Sequence, residues 1–578
     1  MPKNHCRPCS AHVAGKRKRR AGATLAAGLF FVLVFMAQGV FFIRANAPTY
    51  DEAMHLAAGY SYLATRDFRL EPQNPPLVKE LLALPLFLVH RLPFDPDPKR
   101  WRNGDDFYVG QDFLYRSRVP ADQILLLSRI LNLFLGTLLI ALVGWWAYRL
   151  WGNYAATVAI ALACFEPNLV AYSSLVTTDT GATLFIFLTV YLLWEYVRFP
   201  RWWLLSGTGI AAGMALVSKF STVLLIPIIG LIVTVSLFIE CAESARLLLR
   251  NRPNPIRRKV FETAVLLLVI FLFAVAIIPI PYFFQGFEPW LFGFQRFITL
   301  AQEGQSAFFL GQISYQGWWS YFVFAFLVKT PIGTLLLIST AFLLYRFGKP
   351  LAPREGLFLL LPVVVFFLAM TQSKVNIGLR HILPIYPLLF VFAARLATIE
   401  SHRQWFKYLL IGAPLALTAI SSLRIAPHQL AYFNEMVGGP DKGYHYLSDS
   451  NLDWGQDLKG VKAYMEKEKL PIIYLSYFGT APPSYYNIRY QYVPGSPPLQ
   501  WPPLSDRVPA TARKILAISV RNLQDASIPH IPLFGWLRLR QPIAKIGYSI
   551  FVFDLTNDPE GLVQLEETYA KAGIDRPL

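Results

Sequence analysis

Two adjacent carboxylates, Asp51 and Glu52, stand directly after the first long apolar run, in the segment YDEAMHL. His55 follows in the same segment, within about two turns of a helix that we expect to begin near Thr49, a residue type that favours N-caps. At the edge of a membrane the dielectric constant is lowered, so one of these carboxylates could accept a proton near neutral pH and serve as a general base. The pair could instead only stabilise the positive end of a helix dipole.

The elements around this pair are predicted to lie in a membrane. Of 578 residues, 54% are hydrophobic and only 16% are charged, whereas a soluble domain carries about a quarter charged residues. The apolar residues cluster into blocks of about 20, the length of a helix that crosses a hydrocarbon core. The sequence therefore predicts an α-helical polytopic membrane protein.

The net charge of +18 does not indicate nucleic-acid binding, because of where the charges lie. From Ile425 to the end, 15 Lys and Arg balance 15 Asp and Glu, so the whole excess lies in the apolar part of the chain. There the basic residues cluster in short segments between apolar blocks, for example at 16–20 and 246–259. Such clusters are typical of the cytoplasmic ends of membrane spans.

Eleven spans are predicted, near residues 21–43, 124–148, 154–171, 180–197, 203–217, 221–239, 261–281, 331–346, 356–371, 381–397 and 406–424. With the basic segments inside, this odd number places the amino terminus in the cytoplasm and the carboxyl terminus outside the cytoplasmic (inner) membrane. The first block could be a secretory signal cut after Ala47. Its apolar run is too long for a signal and Pro48 would follow the cut, so an uncleaved helix is favoured.

Three longer mixed stretches then fall outside the cytoplasm, at 44–123, at 284–330 and from 425 onward. The predicted organisation is a basic cytoplasmic tail at 1–20, a transmembrane domain at 21–424 with those two external loops, and an extracytoplasmic α/β domain at 425–578. In the first loop, residues 71–92 place leucines along one helical face with Lys79 and Glu80 opposite, and Pro85 should kink the helix. This pattern favours a helix in the interface plane, or an ordinary packed loop helix.

These features together resemble the GT-C glycosyltransferases, and in particular the bacterial branch of family 39, related to protein O-mannosyltransferases and lipid A aminoarabinose transferases. The resemblance rests on the acidic pair after the first span, the Pro-Pro helix of a long first loop, and the segments EPNLVAYSSLVTTDTGATLF, GMALVSKFSTVLLIP, FAFLVKTPIGTLLL and NIGLRHILPIYPLLF. It covers residues 50–387 by motif. It implies a GT-C-like fold and transfer of a sugar from a polyprenyl-phosphate carrier to an extracytoplasmic acceptor hydroxyl.

The resemblance also implies roles for individual residues. An acidic residue of the first loop acts as base toward the acceptor hydroxyl, which matches Asp51 with Glu52 beside it. A second acidic residue of the same cavity matches Asp179. Because a phosphate leaves without needing a proton, one base suffices, and direct displacement would invert the anomeric centre.

The leaving phosphate needs positive charge nearby. Arg380 could hold two phosphate oxygens through parallel hydrogen bonds, while a lysine offers a point charge. A lysine at a span end often only extends its ammonium group into the interface, so each single lysine is the weaker candidate. The full set of candidate substrate-binding residues comprises His55, Lys79, Lys219, Lys329, Lys374, Arg380 and His381.

The chain departs from the family pattern before Pro-Pro, where relatives often have Glu-His and this chain has Gln73 and Asn74. A metal or proton role resting on that histidine is therefore in doubt, and no metal ligand is assigned, although a divalent metal is left open as a cofactor. His55 could be a ligand, could support Asp51, or could pack against apolar neighbours.

The tail from Ile425 reads as an α/β domain, with buried strands at 472–479, 514–519 and 548–555 and a helix at 457–469. Its segment SDSNLDW carries acidic and amide residues at alternate positions, as a calcium loop does. The glycine falls one place late and Gly460 stands where a bidentate Glu is needed, so an EF-hand is disfavoured. Asp453 and Trp454 could contact a sugar, or could serve packing and turn formation, so acceptor recognition is one hypothesis for the tail.

The competing class is a transporter or flippase of a lipid-linked envelope precursor. It would carry ionisable groups midway along spans and broken helices in repeated halves. The candidate charges lie at external span ends beside long loops, which favours an enzyme. The expected partners are thus a polyprenyl-phosphate-linked sugar, an acceptor that is a lipid, a glycan or a protein, and the membrane, without nucleic acid.

Overall fold

A computed structural model describes residues 8–247, 255–346, 351–400, 403–497, 506–526, 528 and 531–574. Parts of the predicted cytoplasmic tail and of the basic segment 246–259 lie outside these ranges, namely residues 1–7 and 248–254. The helices, numbered in chain order, are α1 Pro8–Ala45, α2 Glu52–Thr65, α3 Pro76–Pro85, α4 Pro98–Arg102, α5 Asp106–Tyr115, α6 Ala121–Trp151, α7 Asn153–Cys164, α8 Pro167–Ser173, α9 Asp179–Arg198, α10 Trp202–Leu216, α11 Leu225–Leu247, α12 Pro255–Ile277, α13 Glu288–Glu303, α14 Tyr321–Lys329, α15 Ile332–Leu343, α16 Pro353–Met370, α17 Ile385–Ala394, α18 Gln404–Ile425, α19 Leu458–Lys467, α20 Val520–Leu523 and α21 Pro559–Lys571. The strands are β1 Ala307–Phe309, β2 Gln312–Ser314, β3 Ile473–Ser476, β4 Tyr490–Tyr492, β5 Ile515–Ser519, β6 Ala544–Ile546 and β7 Ile550–Asp554.

The apolar helices confirm a multi-pass membrane protein. Within the described ranges, six helices are long and apolar enough to cross a membrane alone, and the bent pairs α7–α8 and α14–α15 raise that number to eight. Three shorter apolar helices, Trp202–Leu216, Phe220–Ser236 and Ile385–Thr398, lie among them. Each of the predicted spans coincides with one of these helices or pairs, so an apolar helix lies at every predicted position, while the count of eleven membrane crossings stays a prediction.

The two bent pairs turn sharply at proline. The α7–α8 pair bends by 66° and the α14–α15 pair by 112°. Pro167 is the first residue of α8, and Pro331 directly precedes α15. Proline lacks the backbone N–H that would continue the preceding helix but fits the start of a new one. The second bend turns the end of α14, with Lys329, toward the interior of the protein.

The first external loop folds into helices packed closely on one another. Helix α2 begins at Glu52 rather than near Thr49, and the Thr49 backbone N–H donates to the Glu52 carboxylate at 2.7 Å. Helix α3 crosses it so closely that a Cβ at Gly59 would overlap the Lys79 carbonyl oxygen. At the predicted kink, Pro85 ends α3 and a π-helical turn continues to His90.

One expectation for α3 was wrong. Lys79 and Glu80 were predicted on a polar face, but their exposed fractions are only 1% and 9%. The reason is that α3 packs against α2 and the connection between the two helices. In that connection Glu71 is buried and accepts a hydrogen bond from Lys79. The helix is therefore packed into the loop rather than lying with one face toward water.

The tail folds as the predicted α/β region. Its five-stranded sheet has the order β4-β3-β5-β7-β6, parallel across β4, β3 and β5 and antiparallel across β5, β7 and β6. The three predicted strands and the predicted helix correspond to β3, β5, β7 and α19. The tail also contacts the end of the first span, because the Ala47 and Tyr50 N–H groups donate to the carbonyls of Gln456 and Trp454 at 2.8 Å each.

Candidate active site

A cavity of about 580 Å³ opens where the first loop, the segment before α17 and the tail meet. Its walls combine side chains from regions far apart in sequence. The ionisable residues that line it are Asp51, His55, Glu71, Asp106, Lys219, Arg380, His381, Asp449 and Arg521. The cavity thus carries both acidic groups and cations, as a site for a charged substrate requires.

A chain of ion pairs crosses one wall of this cavity. The Asp51 Oδ2 atom lies 2.8 Å from Arg380 Nη1, and the same nitrogen lies 4.0 Å from Asp179 Oδ2. The other oxygen of Asp179 lies 2.5 Å from Lys219 Nζ. These four residues come from the start of α2, the start of α9, the turn after α10 and the turn before α17. The fold therefore brings together four of the predicted site residues.

Glu52 points away from the cavity, unlike its neighbour Asp51. It is fully buried, and its two oxygens accept hydrogen bonds from Arg129 of α6 at 2.8 and 2.6 Å. The Val176 N–H donates to it at 2.8 Å as well. Burial opposes ionisation of Glu52, but the charge and hydrogen bonds of Arg129 outweigh it, so the pKa of Glu52 lies below its ordinary value. Of the acidic pair, only Asp51 is left to face the cavity.

Arg129 explains why the first span ends where it does. Besides Glu52, its guanidinium donates to the carbonyls of Ile43, Asn46 and Ala47 at 3.0 to 3.2 Å. The last carbonyls of a helix have no partner within the helix, so a buried cation there satisfies them. This arginine anchors the end of α1 and the start of α2 together, and thereby fixes the position of Asp51.

His55 lies in a second buried network beside the cavity. Its Nδ1 atom lies 2.8 Å from Glu71 Oε2, and Lys79 donates to the Glu71 carbonyl at 3.0 Å and to the Tyr62 hydroxyl at 2.9 Å. Burial alone would favour neutral groups, but the charges of His55 and Lys79 lower the pKa of Glu71 to about 2. Burial likewise opposes the charge on His55, yet Glu71 raises the pKa of His55 above its ordinary value.

The His55–Glu71 pair predicts a pH-dependent stability. A histidine with a raised pKa in the folded protein stabilises it fully below its unfolded pKa, near 6.5, and this contribution is lost as pH rises through the folded pKa. His55→Gln is therefore expected to lower the free energy of unfolding by about 1.5–3 kcal/mol at low pH, and by less at high pH. Thermal unfolding of the detergent-solubilised wild-type and His55→Gln proteins, at pH values below and above 6.5, measures the difference in their stability.

His90→Gln is the matched control, because His90 lies on the same loop, at the end of the π-helical turn. It should leave the pH dependence as in the wild type. A His55→Gln deficit that grows with rising pH would contradict the assigned ion pair.

Of the three remaining predicted cations, one lines the cavity and two do not. His381 lines the cavity with Arg380. Lys374 is directed toward the surface, where its Nζ donates to the Gln302 carbonyl at 3.2 Å. Lys329 is fully buried and donates to the carbonyls of Leu430 and Asn451, at 2.8 and 2.5 Å. The structure therefore does not bring Lys329 into the cavity wall, because its ammonium group is already engaged by the start of the tail.

Four charged residues that line the cavity, Glu71, Asp106, Asp449 and Arg521, were not among the predicted site residues. Asp106 begins α5, and burial together with the nearby Glu71 raises the pKa of Asp106 to about 6. Asp449 and Arg521 of the tail form an ion pair in the wall. Asp106 had a detectable signal, since it follows Asp105 at a helix start, but the tail pair joins residues with no shared motif.

Aromatic side chains of the tail lie beneath two of the cavity cations. The Arg380 guanidinium carbon lies 4.3 Å from the centre of the Trp454 ring, and that of Arg521 lies 4.9 Å from the Phe478 ring. An arginine over an aromatic face keeps its hydrogen-bonding edge free for a ligand. In the part of the chain that the structure describes, no group of three His, Cys, Asp or Glu side chains could hold a metal ion.

Comparisons with known proteins agree with the sequence motifs. Residues 28–290, somewhat less than half of the chain, match the family model of dolichyl-phosphate-mannose-protein mannosyltransferases. A search of curated proteins found no match. Among solved structures, the chain is similar to ArnT from Cupriavidus metallidurans bound to undecaprenyl phosphate, with 13% identity and a TM-score of 0.46, over 91% of this chain and 97% of that one.

A second similar structure is the Archaeoglobus fulgidus oligosaccharyltransferase tethered to an acceptor peptide, with 11% identity and a TM-score of 0.37, over 83% of this chain and 60% of that one. At these identities and TM-scores, neither structure bears on substrate or mechanism. The apolar helices show a multi-pass membrane protein, and over residues 28–290 the chain is similar to the dolichyl-phosphate-mannose-protein mannosyltransferases, which agrees with the resemblance in its sequence motifs.

Proposed function

We propose that the protein transfers a sugar from a polyprenyl-phosphate carrier to an acceptor hydroxyl, in the cavity on the extracytoplasmic side of the cytoplasmic membrane. The observation that carries this proposal is the chain of ion pairs Asp51–Arg380–Asp179–Lys219 in the cavity wall. It places a carboxylate that can accept a proton next to cations that can hold a phosphate.

In the proposed reaction the acceptor oxygen attacks the anomeric carbon of the donor sugar. A new bond forms between these two atoms while the bond from the anomeric carbon to the phosphate oxygen breaks, and its electron pair leaves with the phosphate. The hydroxyl proton passes to the Asp51 carboxylate, whose exposed position in the cavity allows an acceptor to approach. A single displacement of this kind inverts the anomeric configuration.

The leaving phosphate is assigned to the wall around Arg380. Among the described residues, the buried Arg380 Nε and His381 Nε2 atoms have no hydrogen-bond partner, although both residues line the cavity. A buried nitrogen of this kind is costly unless something bonds to it. Lys219 adds a third nitrogen on the same wall. Two phosphate oxygens could therefore be held while Arg380 Nη1 stays on Asp51.

An apolar groove supports a lipid-linked donor. Its volume is about 710 Å³, and its lining includes Ala212, Leu216, Ile226, Ile229, Gly230, Ile270, Phe271, Ala274, Trp290 and Leu291. Helix α13 connects it to the cavity, because Trp290 and Leu291 line the groove while Phe297 and Leu300 line the cavity. A polyprenyl chain in this groove would place its phosphate near Lys219.

The direct test is transfer by the purified protein in lipid nanodiscs. Undecaprenyl phosphates carrying radiolabelled hexoses or pentoses serve as donors, and appearance of free undecaprenyl phosphate measures cleavage. Donor cleavage with an inverted product supports the proposal. If the same protein in sealed vesicles moves the intact donor between leaflets and never cleaves it, the protein is a transporter instead.

Filling the groove should raise the Michaelis constant most for long donors. Gly230 lines the groove and a Cβ added there meets no atom within 4 Å, so Gly230→Phe is the substitution chosen to fill it. It would displace about one isoprene unit, and we expect an increase of about tenfold in KM for an undecaprenyl donor. A donor with two isoprene units, which fills much less of the groove, should be affected less.

Gly412→Phe provides the matched control. Gly412 also lies in an apolar helix, α18, with no atom within 4 Å of a Cβ, but it lies outside the groove. Equal effects of both substitutions, or equal effects on both donors, would exclude the groove as the site of the lipid chain.

A further inference from the structure

The short segment 376–381, which carries Arg380 and His381 into the cavity, forms two buried hydrogen bonds with the tail. The Leu379 N–H donates to Asn451 Oδ1 at 3.0 Å, and Ser450 Oγ donates to the Ile377 carbonyl at 2.7 Å. Between them, Gly378 lies so close to Ser450 that a Cβ would overlap its Oγ atom. Both tail side chains are fully buried.

The same tail segment contacts the other partner of the Asp51–Arg380 ion pair. Trp454 lies under the Arg380 guanidinium at 4.3 Å, and its carbonyl accepts a hydrogen bond from the Tyr50 N–H at 2.8 Å. Tyr50 directly precedes Asp51. Residues 448–454 of the tail therefore contact both the backbone next to Asp51 and the Arg380 side chain that pairs with the Asp51 carboxylate.

This stretch is itself held rigidly by the membrane-embedded part. Lys329 donates to the Asn451 carbonyl at 2.5 Å, and Tyr172 donates to the Ser450 carbonyl at 2.8 Å. The Asn451 amide donates to the Tyr321 hydroxyl at 2.8 Å. Each polar group of Asn451 thus has a partner outside or within the segment, so the segment has little freedom to shift.

We propose that residues 448–454, the tail clamp, are a positioning element that sets Arg380 against the donor phosphate and Asp51 against the acceptor hydroxyl. The inference rests on the proposed function, and it assigns the tail a part in the transfer step itself. It also accounts for Ser450 and Asn451, whose side chains bond to the 376–381 segment, and for Lys329, which holds the clamp rather than a substrate. Removal of these contacts should weaken donor binding without unfolding the tail.

The test exploits the close approach of Gly378 and Ser450. Gly378→Ala should push the Arg380 segment away from the clamp, and a displacement of about 1 Å in such a site lowers the rate by about 100-fold. The affinity for undecaprenyl phosphate, measured directly on the purified protein, should fall with it, while the KM for the acceptor stays near that of the wild type. Ser450→Ala removes the overlapping oxygen but also its hydrogen bond to the Ile377 carbonyl, so adding it to Gly378→Ala should restore part of the lost affinity.

A second pair of variants covers the case in which Gly378→Ala fails to fold. Trp454→Phe keeps an aromatic face under Arg380 and should retain most of the donor affinity, whereas Trp454→Leu should lose about tenfold or more. Trp536→Leu is the matched control, because Trp536 also lies in the tail with an arginine, Arg540, 5.5 Å from its ring, but is not part of the cavity wall.

The outcomes separate the two proposals. A folded Gly378→Ala protein with unchanged donor affinity, or equal losses in Trp454→Leu and Trp536→Leu, overturns the clamp. Wild-type protein that neither binds undecaprenyl phosphate nor cleaves its sugar esters overturns the proposed function, and the clamp with it. Loss on Gly378→Ala with recovery in the double variant supports both.

Discussion

Asp51→Asn is expected to lower the transfer rate by about 10²–10⁴-fold, the range that general-base catalysis contributes. The amide is nearly the same size as the carboxylate and can still meet Arg380, so the cavity should keep its shape. It cannot take the hydroxyl proton, so the loss should fall on kcat while undecaprenyl phosphate still binds. The measurement is single-turnover release of labelled sugar, paired with a direct binding assay for the lipid phosphate.

Two controls separate this prediction from a general effect of charge. Asp95→Asn changes an exposed carboxylate of the same loop and should leave kcat as in the wild type. Glu52→Gln is expected to destabilise the protein, because it weakens the buried pair with Arg129. If Asp51→Asn transfers sugar at the wild-type rate, Asp51 is not the base.

The sequence could not tell Asp51 from Glu52, and the reason is physical. Both are carboxylates at the same helix start, and neither composition nor spacing shows which way each points. The decision comes from Arg129, which lies 77 residues further on and reaches Glu52 only after α6 has packed against the end of α1. A buried arginine in an apolar helix indicates some partner, but not which one.

The helices and strands could be predicted from the sequence much better than the contacts between the residues of the cavity wall. Membrane helices and the buried strands β3, β5 and β7 are signalled by local hydrophobicity, which a short window of sequence contains. Asp449 and Arg521 meet only because the fold of the tail brings the start of α20 against the segment before α19. Lys329 had the pattern of a span-end lysine, and only the 112° bend between α14 and α15 turns it inward.

The contacts of the tail segment SDSNLDW could not be predicted from local sequence either. With the calcium loop disfavoured by the glycine position, alternating Asp and Asn side chains still suit either a turn or a buried hydrogen-bond network. The fold shows a buried network, because Asn451 and Ser450 contact the backbone on either side of Gly378. That long-range pairing joins residues more than 70 positions apart, so no local pattern could have indicated it.

Arg380→Lys is expected to lower kcat by about 10²–10³-fold, although it keeps the positive charge. Arg380 faces Asp51, Asp179 and Trp454 at once. A lysine ammonium has no planar fork, so it cannot stay on Asp51 and also offer the unpartnered Nε position to a phosphate. Affinity for undecaprenyl phosphate should fall as well, which distinguishes this variant from Asp51→Asn. Lys374→Met, a change to a surface cation, is the control.

The double variant that combines Asp51→Asn with Arg380→Lys tests whether these two residues act together in the transfer step. If Arg380 positions both the donor phosphate and the Asp51 carboxylate, part of its role is already lost in the Asp51→Asn variant. Adding Arg380→Lys to that variant then removes only phosphate binding. The combined loss in kcat should then be clearly smaller than the product of the two single losses. Losses that multiply in full would show that Asp51 and Arg380 contribute independently, and the ion pair between them would then have no part in aligning the transfer.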